Sequence, residues 1–312
     1  MTRSTIRLGT RSSPLAMAQA HEARDMLCAA GGLSESAIEI VQLRASGDKV
    51  QDRPLAEIGG KALWTKELDA ALLAGKIDFA VHSAKDVETI RPSEIAIAAM
   101  LAREDVRDVL VGAKSIAALR SGAVVGTSAP RRAAQLLNMR PDCRVVPIRG
   151  NVATRLAKLG AGEVDATFLA KAGLNRLGES GVGHPLDPED WLPAPGQAAI
   201  AIECRTDDTE MRDLLSRIDH APTHHAVLAE RALLAALGGS CHSPIAVHTS
   251  YSGDSMTMRA ALFSPDGAER VESSAGLAPG DCDTPRQLAN ALLTMAPPAI
   301  ADHFSKPQVD LR

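Results

Sequence analysis

The stretches GTRSSPLAMAQ (residues 9–19) and GTSAPRRAAQ (residues 126–135) decide the predicted fold. Each follows a strand-like apolar segment and continues with Gly-Thr, small polar residues, a proline and a helical pattern containing Gln. Polar residues and proline are favoured at the start of a helix. Chance resemblance of two strand–helix corners is one explanation, but a duplicated α/β lobe accounts better for the shared order.

Strand-like and helix-like segments alternate around these corners up to about residue 205, which is typical of an α/β fold. After Cys204 the composition shifts, and a helix from Pro222 precedes three short strands and a closing helix. The sequence therefore predicts two α/β lobes facing a cleft, followed by a small α+β third domain. The strands are predicted over 6–10, 38–43, 77–81, 95–101, 124–127, 144–148, 166–170, 198–203, 245–250, 256–263 and 268–274. The helices are predicted from 14, with Ser13 as N-cap, to about 28, over 62–74, from 130, from 152, as a short helix that ends near 177, over 222–237 and over 285–295.

The overall composition excludes several classes of protein. Net charge is −4 and aromatic residues are few (Trp 2, Tyr 1, Phe 4), which argues against nucleic-acid binding. No apolar run approaches the ~18–20 residues that span a bilayer. Five scattered cysteines without a CxxC pair favour reduced thiols in the cytoplasm, and no metal-binding motif is present.

Arginines recur where predicted strands end or predicted helices begin, at positions 11, 131, 132, 149, 155 and 176. Any one of them alone is more simply a solvated surface residue. However, Arg131 and Arg132 occupy the first turn of a helix, where a positive side chain opposes the helix dipole unless an anion is near. The arginines together predict a ligand with several carboxylates or phosphates.

An apolar strand in IDFAVHSAKDV (residues 77–87) leads directly into a polar cluster. His82 is interpreted as a helper or a packed residue. Asp86 has two interpretations, a structural ion pair or a carboxylate that stabilises positive charge on a substrate or moves a proton.

Cys241 lies in LGGSCHSPIA (residues 237–246), behind two glycines that give access and backbone freedom. The other four cysteines are interpreted as small buried hydrophobic residues. A thiol in such a loop is either one more buried residue, or a nucleophile or attachment point.

These segments closely resemble the porphobilinogen deaminase family. The resemblance covers nearly the whole chain in the family's order. It is carried by LGTRSSPLAMAQA, DRPLAEIGGKALWTKELDAAL, DFAVHSAKDV, GTSAPRRAAQL, IRGNVATRL, LAKAGLNRLG, APGQAAIAIECR and AERALLAALGGSCHSPIA.

The resemblance implies three domains, the first two similar to type II periplasmic binding proteins. By that pattern domain 1 comprises 1–100 and 199–220, domain 2 comprises 101–198, and domain 3 comprises 221–312. It also implies a transferase of porphyrin biosynthesis. Four porphobilinogen molecules would be joined with loss of ammonia onto a dipyrromethane cofactor, and hydrolysis would release hydroxymethylbilane. The enzyme is expected to be a cytoplasmic monomer that contacts neither membrane nor nucleic acid.

The resemblance also implies roles for individual residues. Cys241 would hold the cofactor through a thioether, and Asp86 would bond to pyrrole N–H groups and stabilise cationic intermediates. Further cofactor contacts would come from Lys85, Thr127, Ser128, Arg131, Arg132 and Gln197. Substrate contacts would come from Arg11, Ser13, Arg149, Arg155 and Arg176, and a loop over the cleft would contribute Lys61 and Trp64.

Some positions depart from the family pattern. Ala129 stands where a second serine is common, so one cofactor hydrogen bond of the family would be missing, and Pro130 should stiffen the same turn.

Two rival functions remain: a non-enzymatic two-lobed binding protein for small dicarboxylates, and an arginine-rich phosphoryl-transfer enzyme. The first predicts a secretory leader and no need for Cys241, and the second predicts a nucleotide-binding loop; the chain shows neither pattern.

Overall fold

The computed structural model describes residues 5–43, 65–240 and 242–304. The chain divides into two compact units. Unit 1 comprises Met1–Glu104, Asn175–Gly178 and Ala198–His224, and unit 2 comprises Asp105–Leu174, Glu179–Gln197 and His225–Arg312.

The strands are β1 (Ile6–Arg11), β2 (Ile38–Leu43), β3 (Phe79–Ser83), β4 (Ile95–Met100), β5 (Asp108–Val111), β6 (Val124–Gly126), β7 (Arg144–Val146), β8 (Ala166–Ala170), β9 (His184–Pro185), β10 (Ile200–Arg205), β11 (Ile245–Ser252), β12 (Ser255–Phe263) and β13 (Arg270–Leu277). The helices are α1 (Pro14–Gly31), α2 (Lys66–Leu73), α3 (Pro130–Met139), α4 (Val152–Gly160), α5 (Lys171–Arg176), α6 (Thr209–Leu215), α7 (Ala221–Ala236), α8 (Asp283–Met295) and α9 (Pro298–Phe304).

Unit 1 is built on a five-stranded sheet of order β2-β1-β3-β10-β4. β1 pairs in parallel with β2 and β3, whereas β10 runs antiparallel between β3 and β4. Helix α1 buries Ala20, Ala23 and Leu27 against the sheet, which contributes Leu8 and Phe79 to the same apolar core. This burial holds the start of α1 beside the end of β1.

Unit 2 repeats the same arrangement in a sheet of order β7-β6-β8-β5-β9. β6 pairs in parallel with β7 and β8, and β5 runs antiparallel beside β8. The two corner sequences therefore follow equivalent central strands, β1 and β6. This correspondence confirms the prediction of two α/β lobes of one design.

Unit 2 also contains the antiparallel sheet β11-β12-β13 and the helices that pack on it. Side chains from α3, from the Pro-rich bend LDPEDWLPAPGQ (residues 186–197) and from this sheet form a shared apolar cluster of Ala134, Leu192, Ala246, Ala261 and Phe263. The small α+β part is thus present, and its separation as a third domain with the boundaries given above stays a prediction.

Most predicted elements lie within two or three residues of the observed ones, and the remaining differences are specific. β3 begins at Phe79 rather than Ile77, and the part of the predicted helix before residue 65 lies outside the described residues. Four elements, β5, β9, α6 and α9, were not predicted from the sequence. Among the described helices, none combines the length and apolarity that crossing a bilayer requires.

Candidate active site

A pocket in unit 1 lies where β1 and β3 end. Arg11 is the last residue of β1, and Asp86 ends the 3₁₀ turn Ala84–Asp86 that follows β3. Because β1 and β3 are parallel neighbours, their carboxyl ends meet at one edge of the sheet, where α/β folds bind ligands. The pocket is lined by Arg11, Ser13, Leu15, Ala16, Gln19, Val81, His82, Ser83 and Asp86. The structure thus brings Arg11, Ser13 and Asp86 together in one pocket.

Hydrogen bonds fix the wall of this pocket. Ser13 is the N-cap of α1, and its Oγ accepts the N–H of Ala16 at 3.3 Å. One turn further along α1, the buried Gln19 donates from Nε2 to Ser83 Oγ at 2.9 Å. The start of α1 is therefore tied to the end of β3.

A buried charge network lies behind the pocket. His82 Nε2 is 3.2 Å from Glu203 Oε2, and Arg91 pairs with both Glu203 and Asp69. Burial alone would raise the pKa of Glu203, but His82 and Arg91 outweigh it and hold that pKa below its ordinary value. The structure thus places His82 as a packed residue that also lines the pocket.

Two other predicted residues of unit 1 lie near these elements. Lys85 is half-buried in the 3₁₀ turn beside Asp86. Arg176 is largely buried, its Nε lies 2.8 Å from Glu22 Oε2, and its Nη1 donates to the carbonyl of Ala198. A substrate carboxylate at Arg176 would therefore share the guanidinium with Glu22.

In unit 2 the corner before α3 is held by two hydrogen bonds that involve side-chain hydroxyls. Thr127 is buried and its Oγ1 accepts the N–H of Ala129 at 3.2 Å, while Ser128 Oγ donates to the carbonyl of Ile148 at 2.9 Å. Ala129 is the N-cap of α3 and supplies no side-chain acceptor, and Pro130 begins the helix.

Arg131 and Arg132 are buried against a carboxylate that the sequence analysis missed. Asp108 lies in β5, and each of its carboxylate oxygens is 2.7 Å from Nη2 of a different arginine. Burial by itself would raise the pKa of Asp108, but the two guanidiniums and the hydrogen bonds around it outweigh burial and hold its pKa well below the ordinary range. Asp108 is therefore an anion, and it supplies part of the negative charge that this helix start requires.

The charges of this cluster do not balance. Within the part of the chain that the structure describes, two guanidiniums face one carboxylate, which leaves one excess positive charge among buried side chains. Among the described residues, Nε of Arg131 and Nε of Arg132 are buried and have no hydrogen-bond acceptor. Buried polar groups are normally paired, so the cluster has unused capacity for an anion.

The remaining predicted residues of unit 2 lie on nearby loops and helices. Arg149 is half-buried before Gly150, and Arg155 in α4 donates from Nε to the carbonyl of Gly150 at 3.0 Å. Gln197 is buried and donates from Nε2 to Asp108 Oδ1 at 2.8 Å and to the carbonyl of Val106 at 2.7 Å.

Three predicted site residues, Lys61, Trp64 and Cys241, lie outside the described residues. The other cysteines can be described. Burial raises the pKa of Cys28 and Cys143, and raises that of Cys204 to about 11. Thiols with raised pKa values are poor nucleophiles at neutral pH.

One sequence signal could have identified Asp108. It is a single acidic residue at the start of an otherwise apolar run, DVLV, and a buried acid in such a position needs a partner.

Comparison with known proteins gives a consistent result. The family described as "Porphobilinogen deaminase, dipyromethane cofactor binding domain" matches residues 6–213, and "Porphobilinogen deaminase, C-terminal domain" matches residues 224–296. A porphobilinogen deaminase of Sphingopyxis alaskensis is 55% identical over 306 residues, covering 96% of each chain. One of Paracoccus denitrificans is 51% identical over 269 residues, covering 85% of this chain and 86% of the relative.

Among solved structures, the periplasmic VFT2 domain of Bordetella pertussis BvgS is similar at a TM-score of 0.41 and 17% identity. That similarity covers 69% of this chain and 86% of the domain. The family matches cover most of the chain and agree with relatives identical at half of the aligned positions or more. This chain belongs to the porphobilinogen deaminase family.

Proposed function

We propose that the pocket of unit 1 and the arginine cluster of unit 2 carry the reaction of this family. The chain is a transferase, a hydroxymethylbilane synthase. It joins four porphobilinogen molecules head to tail, with loss of ammonia, on a dipyrromethane cofactor, and releases hydroxymethylbilane by hydrolysis.

The excess positive charge at Arg131 and Arg132 is the observation that carries the proposed cofactor site. Each pyrrole ring carries an acetate and a propionate, so a two-ring cofactor presents four carboxylates. Among the described residues, Asp108 neutralises only one of the two guanidiniums, and neither buried Nε has an acceptor. Charge-assisted hydrogen bonds of this kind are worth about 1.5–3 kcal/mol each. The residues therefore fit the cofactor.

The other proposed cofactor contacts come from the corner that precedes α3, from Gln197, which donates to Asp108, and from Lys85, which adjoins Asp86 in unit 1. When bound, the cofactor supplies the free pyrrole carbon onto which porphobilinogen is added. We assign its remaining contacts to Lys85, Thr127, Ser128 and Gln197.

In unit 1, Arg11 and Ser13 are placed to bind an incoming carboxylate, because both line the pocket that contains Asp86. Asp86 accepts from pyrrole N–H groups and stabilises the positive charge that develops on the substrate when ammonia leaves. A fixed carboxylate beside a developing cation lowers the barrier most where water is excluded. Arg149, Arg155 and Arg176 are assigned to further substrate carboxylates, and Lys61 and Trp64 to the loop over the bound rings.

Cys241 is proposed as the attachment point of the cofactor, through a thioether bond. The raised pKa values of Cys28, Cys143 and Cys204 support this assignment, because those thiols are poorly suited to bond formation.

We further propose that the enzyme works as a monomer in the cytoplasm. Free thiols in the described part of the chain, at Cys28, Cys143, Cys204 and Cys282, suit a reducing compartment. A single chain also supplies every residue assigned above.

Intact mass spectrometry of the purified protein tests the attachment. The expected mass exceeds that of the polypeptide by two pyrrole units, and Cys241→Ser removes this excess because no sulfur remains at position 241. Cys204→Ser is the matched control and should keep the added mass. An active protein with the bare polypeptide mass would refute the assignment.

Turnover tests the role of Asp86. Asp86→Ala is expected to abolish hydroxymethylbilane formation, because the developing positive charge loses its carboxylate. Near-normal activity in that variant would disprove the role. A dicarboxylate-binding protein, the alternative function, would bind a dicarboxylate without a covalent adduct and without turnover, and the comparisons do not favour it.

A further inference from the structure

Asp108 gathers four hydrogen-bond donors around one fully buried carboxylate. Oδ2 accepts from Arg131 Nη2 at 2.7 Å and from Trp191 Nε1 at 2.8 Å. Oδ1 accepts from Arg132 Nη2 at 2.7 Å and from Gln197 Nε2 at 2.8 Å. Each carboxylate oxygen thus accepts two hydrogen bonds, and the carboxylate has little freedom to rotate.

The same two guanidiniums are held a second time by backbone carbonyls. Arg131 Nη1 donates to the carbonyl of Leu192 at 2.8 Å, and Arg132 Nη1 donates to that of Phe168 at 3.0 Å. Each planar guanidinium is therefore fixed at both terminal nitrogens. Its Nε is the group that this arrangement leaves without an acceptor among the described residues.

The carboxylate also makes the pair of arginines possible. Two guanidiniums at one helix start repel each other and oppose the helix dipole, and burial increases both penalties. Asp108 lies between them and accepts from both. An uncharged residue of the same size would leave the repulsion uncompensated.

Trp191 and Gln197 orient Asp108. The indole of Trp191 is stacked on Phe168, with ring centroids 4.8 Å apart, which fixes the direction of its N–H. Gln197 is held by its second bond to the carbonyl of Val106. Trp191 also adjoins the other anchors of the arginines, because it stacks on Phe168 and precedes Leu192, whose carbonyls accept from Arg132 and Arg131.

We propose that Asp108 is a positioning residue, whose buried carboxylate fixes Arg131 and Arg132 in the orientation that binds the carboxylates of the dipyrromethane cofactor. This inference rests on the proposed function, since it assumes that the two arginines hold the cofactor. It predicts that Asp108 acts on cofactor loading without contacting the cofactor.

The test measures cofactor loading rather than turnover. Protein is produced in cells that make no porphobilinogen, mixed with porphobilinogen, and sampled by intact mass spectrometry as two pyrrole units are added. Asp108→Asn, with native circular dichroism, is expected to load at least about tenfold more slowly, because the loss of one or two charge-assisted bonds corresponds to roughly that factor.

Asp78→Asn is the matched control. Asp78 is a buried carboxylate that binds the side chain and backbone N–H of Arg7, at the opposite end of β1 from Arg11. Its loss should lower the melting temperature and leave the loading rate of the folded protein unchanged. If Asp108→Asn behaves in the same way, Asp108 is only structural and the inference is wrong.

Arg132→Gln separates this inference from the proposed function. Loading of that variant at the wild-type rate would show that Arg132 does not hold the cofactor, and the proposed function of the cluster would fail. Slow loading of Arg132→Gln with normal loading of Asp108→Asn would overturn the positioning role alone.

A milder variant tests the positioning role of Asp108 if Asp108→Asn does not fold. Trp191→Phe keeps a ring to stack on Phe168 and removes one donor to Asp108. We expect loading to slow by about two- to fivefold, which corresponds to a fraction of one hydrogen bond, while the mass finally added is still two pyrrole units. Loading at the wild-type rate would overturn the inference.

Discussion

Ala129 and Ser13 occupy the same place in the two repeated corners, directly before a proline that begins a helix. Ser13 Oγ accepts an N–H of the first turn of α1, whereas Ala129 offers no acceptor to α3. The backbone of Ala129, with φ −95° and ψ 114°, is in the extended region that N-cap residues adopt. The cap of α3 therefore lacks only a side-chain oxygen.

Ala129→Ser is expected to raise the free energy of unfolding by about 1 kcal/mol, because the new hydroxyl accepts the N–H of Arg131 or Arg132. Ser13→Ala should lower it by a similar amount. Urea unfolding of both variants measures the two effects. An unchanged or lowered stability in Ala129→Ser would show that the N–H groups of α3 are already satisfied.

At this scale the sequence identified cations better than their partners. Arg11, Arg131 and Arg132 were recognised because they adjoin predicted strand ends and helix starts. Asp108 and Glu22 were not, because their pairing with Arg131, Arg132 and Arg176 joins distant parts of the chain. Local periodicity carries no information about such pairs.

The glycine of each Gly-Thr pair leaves space for a neighbouring isoleucine. A Cβ on Gly126 would lie 3.1–3.2 Å from three atoms of Ile148, and one on Gly9 would lie 2.3 Å from Ile77 Cδ1. The central strands β1 and β6 therefore need a residue without a side chain at this position. Close packing explains why the motif occurs in both lobes.

Gly126→Ala is expected to lower the free energy of unfolding by about 1–3 kcal/mol, the usual cost of an extra methyl group in a filled core. Gly160→Ala, at the end of α4, is the control because nothing lies within 4 Å of its added Cβ. The free energy of unfolding of the Gly160→Ala variant should rise by about 0.5–1 kcal/mol. Thermal unfolding measures the stability of both variants. Equal changes in stability would mean that Ile148 moves aside without loss of packing energy.

Among the elements, those with clear apolar periods were predicted well. The predicted limits of β2 and β8 agree with the observed ones, and α3 and α4 begin where predicted. β5 was missed because it begins with Asp108 and follows the charged residues of AREDVRD. A buried charge in a strand contradicts the pattern from which strands are predicted, and only its partners in the folded protein explain it.

Within unit 2, Glu230 joins three parts of the structure. Its fully buried carboxylate, in α7, accepts the N–H of Gly196 at 2.7 Å and the N–H of Thr249 at 3.1 Å. Gly196 belongs to the Pro-rich bend and Thr249 to β11. The apolar cluster around Leu192 and Phe263 also joins the bend to β11, through Ala246, so burial and hydrogen bonding act together there.

Glu230→Gln is expected to lower the free energy of unfolding of unit 2 by about 1–3 kcal/mol, because the amide nitrogen would face an N–H donor and leave it unsatisfied. Glu189→Gln is the control, since Glu189 is exposed and its ion pair with Arg259 contributes about 0–1 kcal/mol. Urea unfolding measures both, and similar effects would show that the carboxylate of Glu230 is dispensable.

The position of β10 has a consequence for how the chain is made. β10 lies between β3 and β4, yet it follows them in sequence by about a hundred residues. During synthesis on the ribosome, the sheet of unit 1 lacks the strand between β3 and β4 until the sheet of the second lobe has been translated. The second sheet has its own antiparallel strand, β5, from the outset, so it can close first. Of these two sheets, the one whose translation begins first is thus the second to be completed.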